Sequence, residues 1–358
     1  MTGLVINGRF LTQGLTGVQR FAIETTRALD SLAREGRAPP IRLVAPAGAS
    51  APWLRTIPLQ TLGTGGGQGW EQRDLVRAAR GDVIVNLGNT GPILAGRRQA
   101  VVIHDAGAFD TPESYSFAFR TWYRVLHRVL VARGARIVTV SEFSRARLAA
   151  NLPIDPEAIA VMPEGGEHIL REAPDTAVLS RHRLEPGRFA LAVGTRAAHK
   201  NLGALAAAAS LLASRGLTLA AAGAADPAVF RPAGLAQGSG AVALGRVTDA
   251  ELRCLYENAL CLVFPSRYEG FGLPPIEAMT AGCPVIASPS GAVLEVCGDA
   301  ALWFDPAAPE SLPAALARLL DEPGLAASLR EAGAERAGRF TWRAAAERLL
   351  DIVSEIRP

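Results

Sequence analysis

The sequence predicts an α/β protein built from two doubly wound parallel sheets, and three observations lead to this prediction. The chain has 358 residues, more than a single hydrophobic core normally supports. Short apolar runs alternate with stretches of helical periodicity, the pattern of parallel strands joined by crossover helices. This alternation occurs twice, on either side of a polar segment at 168–187 that contains Pro174 and Pro186. We therefore expect two domains, at 1–172 and 173–340.

Strands and helices follow one another along each half of the chain. Strands are predicted for GLVING, IRLVAP, DVIVNLG, AVVIHD and RIVTVS in the first half, and for FALAVG, LTLAAAG, CLVFPS and PVIASP in the second. Helical periodicity is found at 18–33, 116–136 and 202–214. The glycine-rich stretch 63–69 is predicted to be a mobile loop. The last segment, 341–358, is predicted to be an amphipathic helix.

Composition excludes several classes of protein. An apolar content of 49% excludes a disordered chain, and no signal peptide or membrane span is visible. The four cysteines (Cys254, Cys261, Cys283 and Cys297) form no CxxC pair, which favours buried thiols in a reducing cytoplasm. Residues 1–172 carry 20 arginines against 15 acidic residues, a net charge of +5. This excess indicates an anionic partner but is too weak to indicate nucleic acid.

One short stretch, from Ser266 to Met279, indicates a ligand site. CLVFPS is a strand, and PPIEAM begins like a helix, so RYEGFG is the loop at the carboxyl end of a strand. Open α/β sheets bind ligands there, and the free N–H groups of a helix start favour a phosphate. Glu269 and Glu277 flank this loop and suit a hexose and a ribose, one on either side of a diphosphate. The alternative interpretation is a helix-capping Glu277 and a solvated Glu269.

Several motifs together resemble a known family. The stretch PSRYEGFGLPPIEAMTAGCPVIAS is similar to the donor-site signature of the retaining glycosyltransferases of family 4, which have the GT-B fold. VVIHDAGAF, VTVSEFSRARL, VGTRAAHKNL, LGRVTDAELRCLYENA and GAVLEVCGDAALWFDP also resemble that family, in the expected order. The resemblance implies two Rossmann-like domains that face each other across a cleft. The first domain would bind the acceptor, the second would bind the nucleotide sugar, and the final helix would cross back to the first.

The resemblance also implies roles for residues of the second domain. Glu269 matches the glutamate that contacts the donor sugar, and Glu277 matches the one that binds ribose. Backbone amides from Gly270 to Leu273, including those of Phe271 and Gly272, would hold the diphosphate. Lys200, the single lysine of the chain, matches one of two cations that neutralise the diphosphate. Arg196 is expected to be the second cation, although many relatives carry an arginine where this chain has His199.

Further roles are implied at three other places. Arg246 and Val247 match a turn that reads the nucleobase, and Arg246 is either a stacking partner of the base or a surface arginine. Gly17 would let the chain approach the diphosphate, or it is a simple loop glycine. His104 ends a strand and would contact the donor sugar as a catalytic residue, whereas a lone histidine is more often structural.

The helix at 116–136 carries Arg120, Arg124 and Arg128 at four-residue spacing beside aromatic residues that include Trp122. One interpretation is a basic, aromatic surface for a bilayer or a polyprenyl-diphosphate acceptor. The other is an ordinary helix with a core face and a solvated arginine face.

We therefore predict a retaining hexosyltransferase of polysaccharide assembly, similar to bacterial mannosyltransferases. The predicted donor is GDP-mannose, with a UDP-sugar as the second choice, and the predicted acceptor is a saccharide or a lipid-linked saccharide. No cofactor, metal or nucleic acid is expected, and the predicted location is cytoplasmic, with contact to the inner face of the membrane left open. The alternatives are a GT-B nucleotide-sugar epimerase and a non-catalytic sugar-binding protein.

Overall fold

The structure is a computed structural model that describes residues 3–63, 65–194, 198–223 and 241–356. The chain divides into two units. Unit 1 takes the described residues of Met1–Glu164 and Trp342–Pro358, and unit 2 takes those of Gly165–Thr341. Each unit has its own parallel sheet, so the predicted α/β class with two doubly wound sheets is confirmed.

Unit 1 alternates strands and helices along the chain. Its strands are β1 (Leu4–Asn7), β2 (Ile41–Pro46), β3 (Leu59–Leu62), β4 (Val83–Asn86), β5 (Gln99–Val102), β6 (Arg136–Thr139) and β7 (Ala160–Val161). Its α-helices are α1 (Gly17–Arg34), α2 (Gly67–Trp70), α3 (Val76–Ala78), α4 (Gly107–Asp110), α5 (Phe117–Ala132), α6 (Glu142–Asn151) and, from the end of the chain, α14 (Trp342–Ser354). A π-helical turn, Glu71–Leu75, joins α2 to α3, and 3-10 turns lie at Gly8–Thr12, Ile93–Ala95, Pro112–Ser114 and Pro156–Ala158.

The sheet of unit 1 is parallel, with its strands in the order β3-β2-β1-β4-β5-β6-β7. Leu4 of β1 is paired with Ile41 on one side and with Val83 on the other, which makes β1 central. The chain first extends the sheet from β1 to β3 and then returns to extend it from β4. This reversal between β1 and β4 is a topological switch point, where the carboxyl ends of the strands leave a crevice for ligands.

Unit 2 contains the remaining elements. Its strands are β8 (Phe189–Val193), β9 (Thr218–Ala222), β10 (Ala241–Gly245), β11 (Leu262–Phe264), β12 (Val285–Ala287) and β13 (Ala301–Trp303). Its α-helices are α7 (Ala177–His182), α8 (Leu205–Ser214), α9 (Asp249–Asn258), α10 (Leu273–Thr280), α11 (Ala292–Cys297), α12 (Ser311–Asp321) and α13 (Leu325–Ala337). Turns of 3-10 helix lie at Glu167–Leu170, Ala198–Lys200, Leu202–Ala204 and Gly298–Ala300.

The sheet of unit 2 is also parallel, in the order β10-β9-β8-β11-β12-β13. Its switch point therefore lies between β8 and β11. Strand β8 and helix α8 both contribute small side chains, among them Ala190 and Ala208, to one buried apolar cluster of unit 2. The four cysteines are buried and free, as predicted.

The four described strands that the sequence did not predict are the outermost strands of the two sheets: β3, β7, β10 and β13. An edge strand has a neighbour on one side only and is less completely covered than a central one. In β3, for example, Gln60 and Thr61 are exposed, so the sequence there shows no continuous apolar run. The glycine-rich stretch at 63–69 also differs from its predicted loop, because the chain is helical from Gly67 onward.

The last helix belongs to unit 1, as predicted for 341–358. The ring of Trp342 meets the ring of Phe21 on α1 edge-on, with 5.9 Å between the centroids. Arg343 binds Glu35 at 2.6 Å, and this hydrogen bond lowers the pKa of the Glu35 carboxyl to about 2. Helix α14 therefore adds both apolar and charged contacts to unit 1.

Unit 2 begins at Gly165, upstream of the boundary between 172 and 173 that the sequence predicts. The segment after Gly165 packs on α10. A Cβ atom added to Gly166 would lie 2.9 Å from the carbonyl oxygen of Ile276, so the two backbones are in close contact. The polar character of 168–187 does not reveal this contact, because it is made by a glycine and by a buried histidine, His168.

Candidate active site

The switch point of unit 2 brings together Lys200 and Glu269. The turn Ala198–Lys200 follows β8, and the loop with Glu269 follows β11, the neighbouring strand. The Nζ atom of Lys200 lies 2.6 Å from Oε1 of Glu269. The side chains are 19% and 12% exposed, so this ion pair is only partly shielded from solvent. Two residues predicted for the donor site are therefore in direct contact.

Backbone hydrogen bonds hold these two loops together. The carbonyl of His199 accepts a hydrogen bond from the amide of Arg267 at 2.7 Å and another from Oγ of Ser266 at 3.3 Å. The carbonyl of Ser266 in turn accepts hydrogen bonds from the hydroxyls of Ser288 and Ser290, which follow β12. The loop is thus positioned from three neighbouring strands rather than by its own sequence alone.

The loop from Gly270 to Leu273 ends at the start of α10. Gly272 has φ +109, a conformation that favours glycine, and a Cβ atom there would lie 3.3 Å from Cγ2 of Val293. The ring of Phe271 is buried and meets the ring of Phe340 edge-on, at 5.7 Å between centroids. The Phe271 side chain therefore anchors the loop, in which Gly270 is half-buried and Gly272 is buried. Leu273 is half-buried as the first residue of the helix.

Glu277 is buried in α10, and both of its carboxylate oxygens have protein partners. Oε1 lies 2.9 Å from Nε2 of His168, and Oε2 accepts a hydrogen bond from the Tyr256 hydroxyl at 3.0 Å. Burial, followed by the charge of Glu277, raises the pKa of the Tyr256 hydroxyl well above its usual value. Tyr256 therefore stays a neutral donor to this carboxylate. Each carboxylate oxygen has a second lone pair, so Glu277 retains acceptor capacity for a ribose hydroxyl.

His168 and Tyr256 were not predicted as part of the site. Both are buried and lie far from Glu277 in sequence, on the turn Glu167–Leu170 and on α9. Neither residue stands in a local pattern by which the sequence could have indicated its role. They position Glu277 by fixing its two oxygens.

Other residues predicted for the donor site lie farther away or outside the described residues. Arg246 is exposed and Val247 half-buried, directly after β10. Strand β10 is two strand spacings, or about 10 Å, from β8 along the same carboxyl edge. Arg196 lies outside the described residues. Among the described residues, no group of three or more histidine, cysteine, aspartate or glutamate side chains is placed to hold a metal ion.

His104 is buried in unit 1 just beyond β5. Its Nε2 lies 3.0 Å from the carbonyl of Leu87, which can only accept, so Nε2 carries a proton. Its Nδ1 lies 3.5 Å from Oε1 of Glu164. Both ring nitrogens thus face protein groups, and a contact with a donor sugar stays a prediction. Gly17 is exposed at the start of α1, and a Cβ atom there would meet nothing within 4 Å.

The arginine stripe of helix α5 makes contacts within unit 1. Arg124 donates Nε–H to the carbonyl of Ala108 at 2.8 Å, and the guanidinium of Arg128 lies 5.5 Å from the ring centre of Phe109. Arg120 lies over the ring of Phe117, 5.4 Å from its centre. All three arginines therefore contact groups of unit 1; Arg120 and Arg124 are half-buried and Arg128 is exposed.

Most of the exposed side chains of α5 are apolar, and Thr121 and Arg128 are exposed beside them. Phe117 is 72%, Trp122 41% and Val125 49% exposed. None of the described helices combines the length and the apolar character that crossing a membrane would require.

Similarity to known proteins decides the family. Residues 180–336 match the family model described as glycosyl transferases group 1. O-antigen chain mannosyltransferase B of Escherichia coli is 31% identical to this chain over 256 residues, which are 68% of this chain and 67% of that protein. The chain belongs to the group 1 glycosyltransferases. The predicted glycosyltransferase family and enzyme class are thereby confirmed.

Two further similarities support the same assignment. O-antigen chain mannosyltransferase RfbU of Salmonella typhimurium is 29% identical over 237 residues, 65% of this glycosyltransferase and 64% of RfbU. These alignments with curated relatives span about two thirds of each protein. The crystal structure of Anabaena HepE in complex with UDP and glucose has a TM-score of 0.73 at 17% identity, covering 99% of this chain and 100% of that chain. This structural similarity confirms the predicted GT-B fold.

Proposed function

We propose that this glycosyltransferase moves a hexose, with mannose as first choice, from a nucleoside-diphosphate sugar to a saccharide or lipid-linked saccharide. The observation that carries this proposal is the Lys200–Glu269 pair at the switch point of unit 2, with 2.6 Å between Nζ and Oε1. The curated relatives named as O-antigen chain mannosyltransferases support mannose and polysaccharide assembly. A cytoplasmic location at the inner face of the membrane is part of this proposal.

In this proposal the Lys200 ammonium binds the diphosphate of the donor. In the structure this ammonium is paired with the Glu269 carboxylate, so a bound diphosphate would take the place of that carboxylate. Glu269 would then be released to accept hydrogen bonds from the hydroxyls of the hexose. The backbone amides at the start of α10 add positive partial charge for the departing diphosphate. Arg196 is proposed as the second cation.

The nucleoside would extend from the switch point toward the edge of the same sheet. Glu277 is proposed to accept a ribose hydroxyl, and the turn with Arg246 and Val247 to contact the base. The turn lies after β10, about 10 Å from β8, which leaves room for a nucleoside along the carboxyl edge. GDP is the favoured nucleotide and UDP the second choice.

We propose that transfer retains the anomeric configuration through a front-face reaction. The bond between the anomeric carbon and the diphosphate oxygen breaks, and its electron pair stays on the diphosphate. The acceptor hydroxyl attacks from the same face, and its proton passes to the departing phosphate oxygen. In this scheme Glu269, released from Lys200 by the diphosphate, serves to bind the sugar rather than to form a covalent bond to it. No metal or cofactor is proposed.

Hydrolysis of candidate donors without an acceptor tests this function. We expect slow release of mannose from GDP-mannose, unaffected by EDTA, and weaker or no release from UDP- and dTDP-hexoses. Intact-mass spectra of the same mixtures should show no hexose attached to the protein. Release of a sugar epimerised at one carbon would indicate the epimerase alternative. Absence of turnover with every donor would support a sugar-binding protein and contradict the proposal, whereas a hexose adduct on Glu269 would contradict the front-face scheme.

We also propose peripheral membrane contact through the exposed apolar face of α5. Phe117, Trp122 and Val125 are the side chains that such a contact would insert at the interface, since Arg120 and Arg124 are half-buried against unit 1. The protein should therefore float with zwitterionic as well as anionic vesicles, and Trp122→Ser should reduce the floated fraction severalfold. If the wild-type protein does not float with either type of vesicle, this contact is ruled out.

A further inference from the structure

One short loop of unit 1 fixes His104, the residue that the sequence predicts to contact the donor sugar. This loop follows β4 and consists of residues 87–89, so we call it the 87–89 loop. The Leu87 carbonyl lies 3.0 Å from Nε2 of His104, and Oδ1 of Asn89 accepts a hydrogen bond from the backbone amide of His104 at 2.8 Å. Both the ring and the backbone of His104 are therefore held by the same loop.

The other contacts of His104 do not fix the direction of its ring. Oγ of Ser144 donates to the His104 carbonyl at 3.0 Å, which holds the backbone only. Nδ1 of the ring lies 3.5 Å from Oε1 of Glu164, a distance longer than an ordinary N–H···O hydrogen bond. The ring of Phe21 packs edge-on at 4.6 Å between centroids, but it offers no polar group. The direction of the ring therefore depends on the 87–89 loop.

Asn89 has an unusual backbone conformation in this loop. Its φ is +62, in the left-handed region that most side chains avoid and that asparagine tolerates. Residues held in such conformations are concentrated at functional sites. Asn89 also donates its own N–H to the carbonyl of Val102 at 3.0 Å. Its conformation is thus held in place by β5, the strand that leads into His104.

His127 of α5 supports Asn89 through a third hydrogen bond. Nε2 of His127 lies 3.0 Å from the Asn89 carbonyl, which can only accept, so Nε2 carries a proton. Burial lowers the pKa of His127 to about 4, so the ring is neutral and Nδ1 carries no proton. This Nδ1 is buried and has no hydrogen-bond partner in the part of the chain that the structure describes. A buried acceptor without a partner is costly, so what His127 contributes is the single N–H donor to Asn89.

The surroundings of His127 exclude a direct role in the reaction. Its ring meets the ring of Tyr123 edge-on at 5.7 Å between centroids, and the ring of Phe109 lies 6.4 Å away. The residue is only 3% exposed. An effect of His127 on the reaction must therefore pass through the 87–89 loop.

We propose that Asn89 and His127 are positioning residues of the transfer reaction, which hold the 87–89 loop so that it fixes the ring of His104. This inference rests on the proposed function and on the predicted contact of His104 with the donor sugar. It adds two residues that touch no substrate themselves. Such residues matter because a displacement of about 1 Å at a reacting centre can lower the rate by about 10²-fold.

His127→Phe tests the proposal, because it keeps an aromatic ring and removes the donor to Asn89. We expect it to lower the rate of mannose release from GDP-mannose by about tenfold. Its affinity for GDP should stay at the wild-type value, since the proposed contacts of the nucleotide lie in unit 2. In a protein that already carries His104→Phe, the same substitution should lower the rate by no more than about twofold, because it acts through the lost imidazole.

Two substitutions of Asn89 separate its hydrogen bond from its backbone conformation. Glycine and aspartate both tolerate the left-handed region, but only aspartate keeps an oxygen that can accept from His104. Asn89→Gly should therefore be as slow as His127→Phe, and Asn89→Asp should keep most of the rate. Asp30→Asn is the matched control for stability, since Asp30 accepts hydrogen bonds from the backbone amides of residues 55–57. It should unfold at a lower temperature and keep the wild-type rate.

Exchange of the His104 ring proton with water tests the same positioning without turnover. In proton–nitrogen spectra of the full chain, the signal of Nε2–H is identified by its absence in His104→Phe. It should exchange roughly tenfold faster in His127→Phe and in Asn89→Gly than in the wild type, since both loosen the loop that carries the Leu87 carbonyl. Failure of the proposed function is distinguishable, because it is seen as the absence of donor hydrolysis by the wild-type protein, and the exchange rates still decide the positioning.

Three results would overturn the proposal. The first is unchanged exchange of the His104 ring proton in both variants. The second is a wild-type rate of mannose release in both variants. The third is a full tenfold loss from His127→Phe in the His104→Phe protein, which would show an effect independent of His104. If His127→Phe does not fold, Asn89→Gly takes its place in each comparison.

Discussion

Replacing Lys200 with methionine is expected to lower kcat/KM for the donor by about 10²–10³-fold. The reason is electrostatic, because the departing diphosphate loses a fixed cation as its negative charge develops. Removal of one such group typically costs about 2.7–4 kcal/mol of transition-state stabilisation. Affinity for the nucleoside diphosphate product should fall as well, which isothermal titration calorimetry measures. Lys200→Arg keeps the charge with a different shape and should recover part of the rate.

Glu269→Gln is the matched control, because it breaks the same ion pair from the other side. Both variants lose the ion pair, so a purely structural role of the pair would affect both in the same way. In our proposal their effects on nucleoside diphosphate affinity differ in sign. Lys200→Met weakens binding, whereas Glu269→Gln frees the ammonium and strengthens it. Equal weakening in both variants would contradict a direct contact between Lys200 and the diphosphate.

Glu277→Gln is expected to remove the preference for a ribonucleotide over its 2′-deoxy analogue. A hydrogen bond to a charged acceptor contributes about 1.5–3 kcal/mol, so the wild type should bind the ribonucleoside diphosphate roughly 10–100-fold more tightly. The variant should bind both forms with similar affinity. Thermal unfolding should also show reduced stability, since His168 and Tyr256 lose a charged partner in the interior.

The ratio of affinities separates ribose recognition from a structural role. Glu251→Gln is the matched control, since Glu251 and Glu277 are both 6% exposed in unit 2. Glu251 caps the start of α9 and binds Arg181, so its variant should also be less stable. It should nevertheless keep the wild-type ratio between the ribonucleotide and the deoxy analogue. A wild-type ratio in Glu277→Gln would show that Glu277 supports the fold alone.

How much of the fold could be predicted depends on the position of each strand. Strands β1, β4, β8 and β11 lie inside the sheets. Each of them is visible in the sequence as a run of apolar residues, because both of its faces are covered. The edge strands β3, β7, β10 and β13 have one neighbour, so their sequences carry a weaker pattern. The predicted helix at 116–136 was also found, as α5, but the direction of its arginines depended on carbonyl groups and a ring from preceding segments.

The candidate site shows the same division. The motif around Glu269 could be identified because a strand, a glycine-containing loop and a helix start are adjacent in sequence. The contact of Glu269 with Lys200 joins residues 69 positions apart and depends on β8 lying next to β11. His168 is 109 positions from Glu277. No local pattern predicts such pairs.

By itself, the sequence determined the α/β class, the central strands, the family and the strand-loop-helix that carries Glu269 and Glu277. These features depend on the identity and spacing of neighbouring residues. Only the tertiary structure decided which polar groups meet, including the pairing of Lys200 with Glu269 and of His168 with Glu277. The physical reason is that a buried polar atom takes its partners from whichever strand ends the sheet order brings together, and local periodicity does not specify that order.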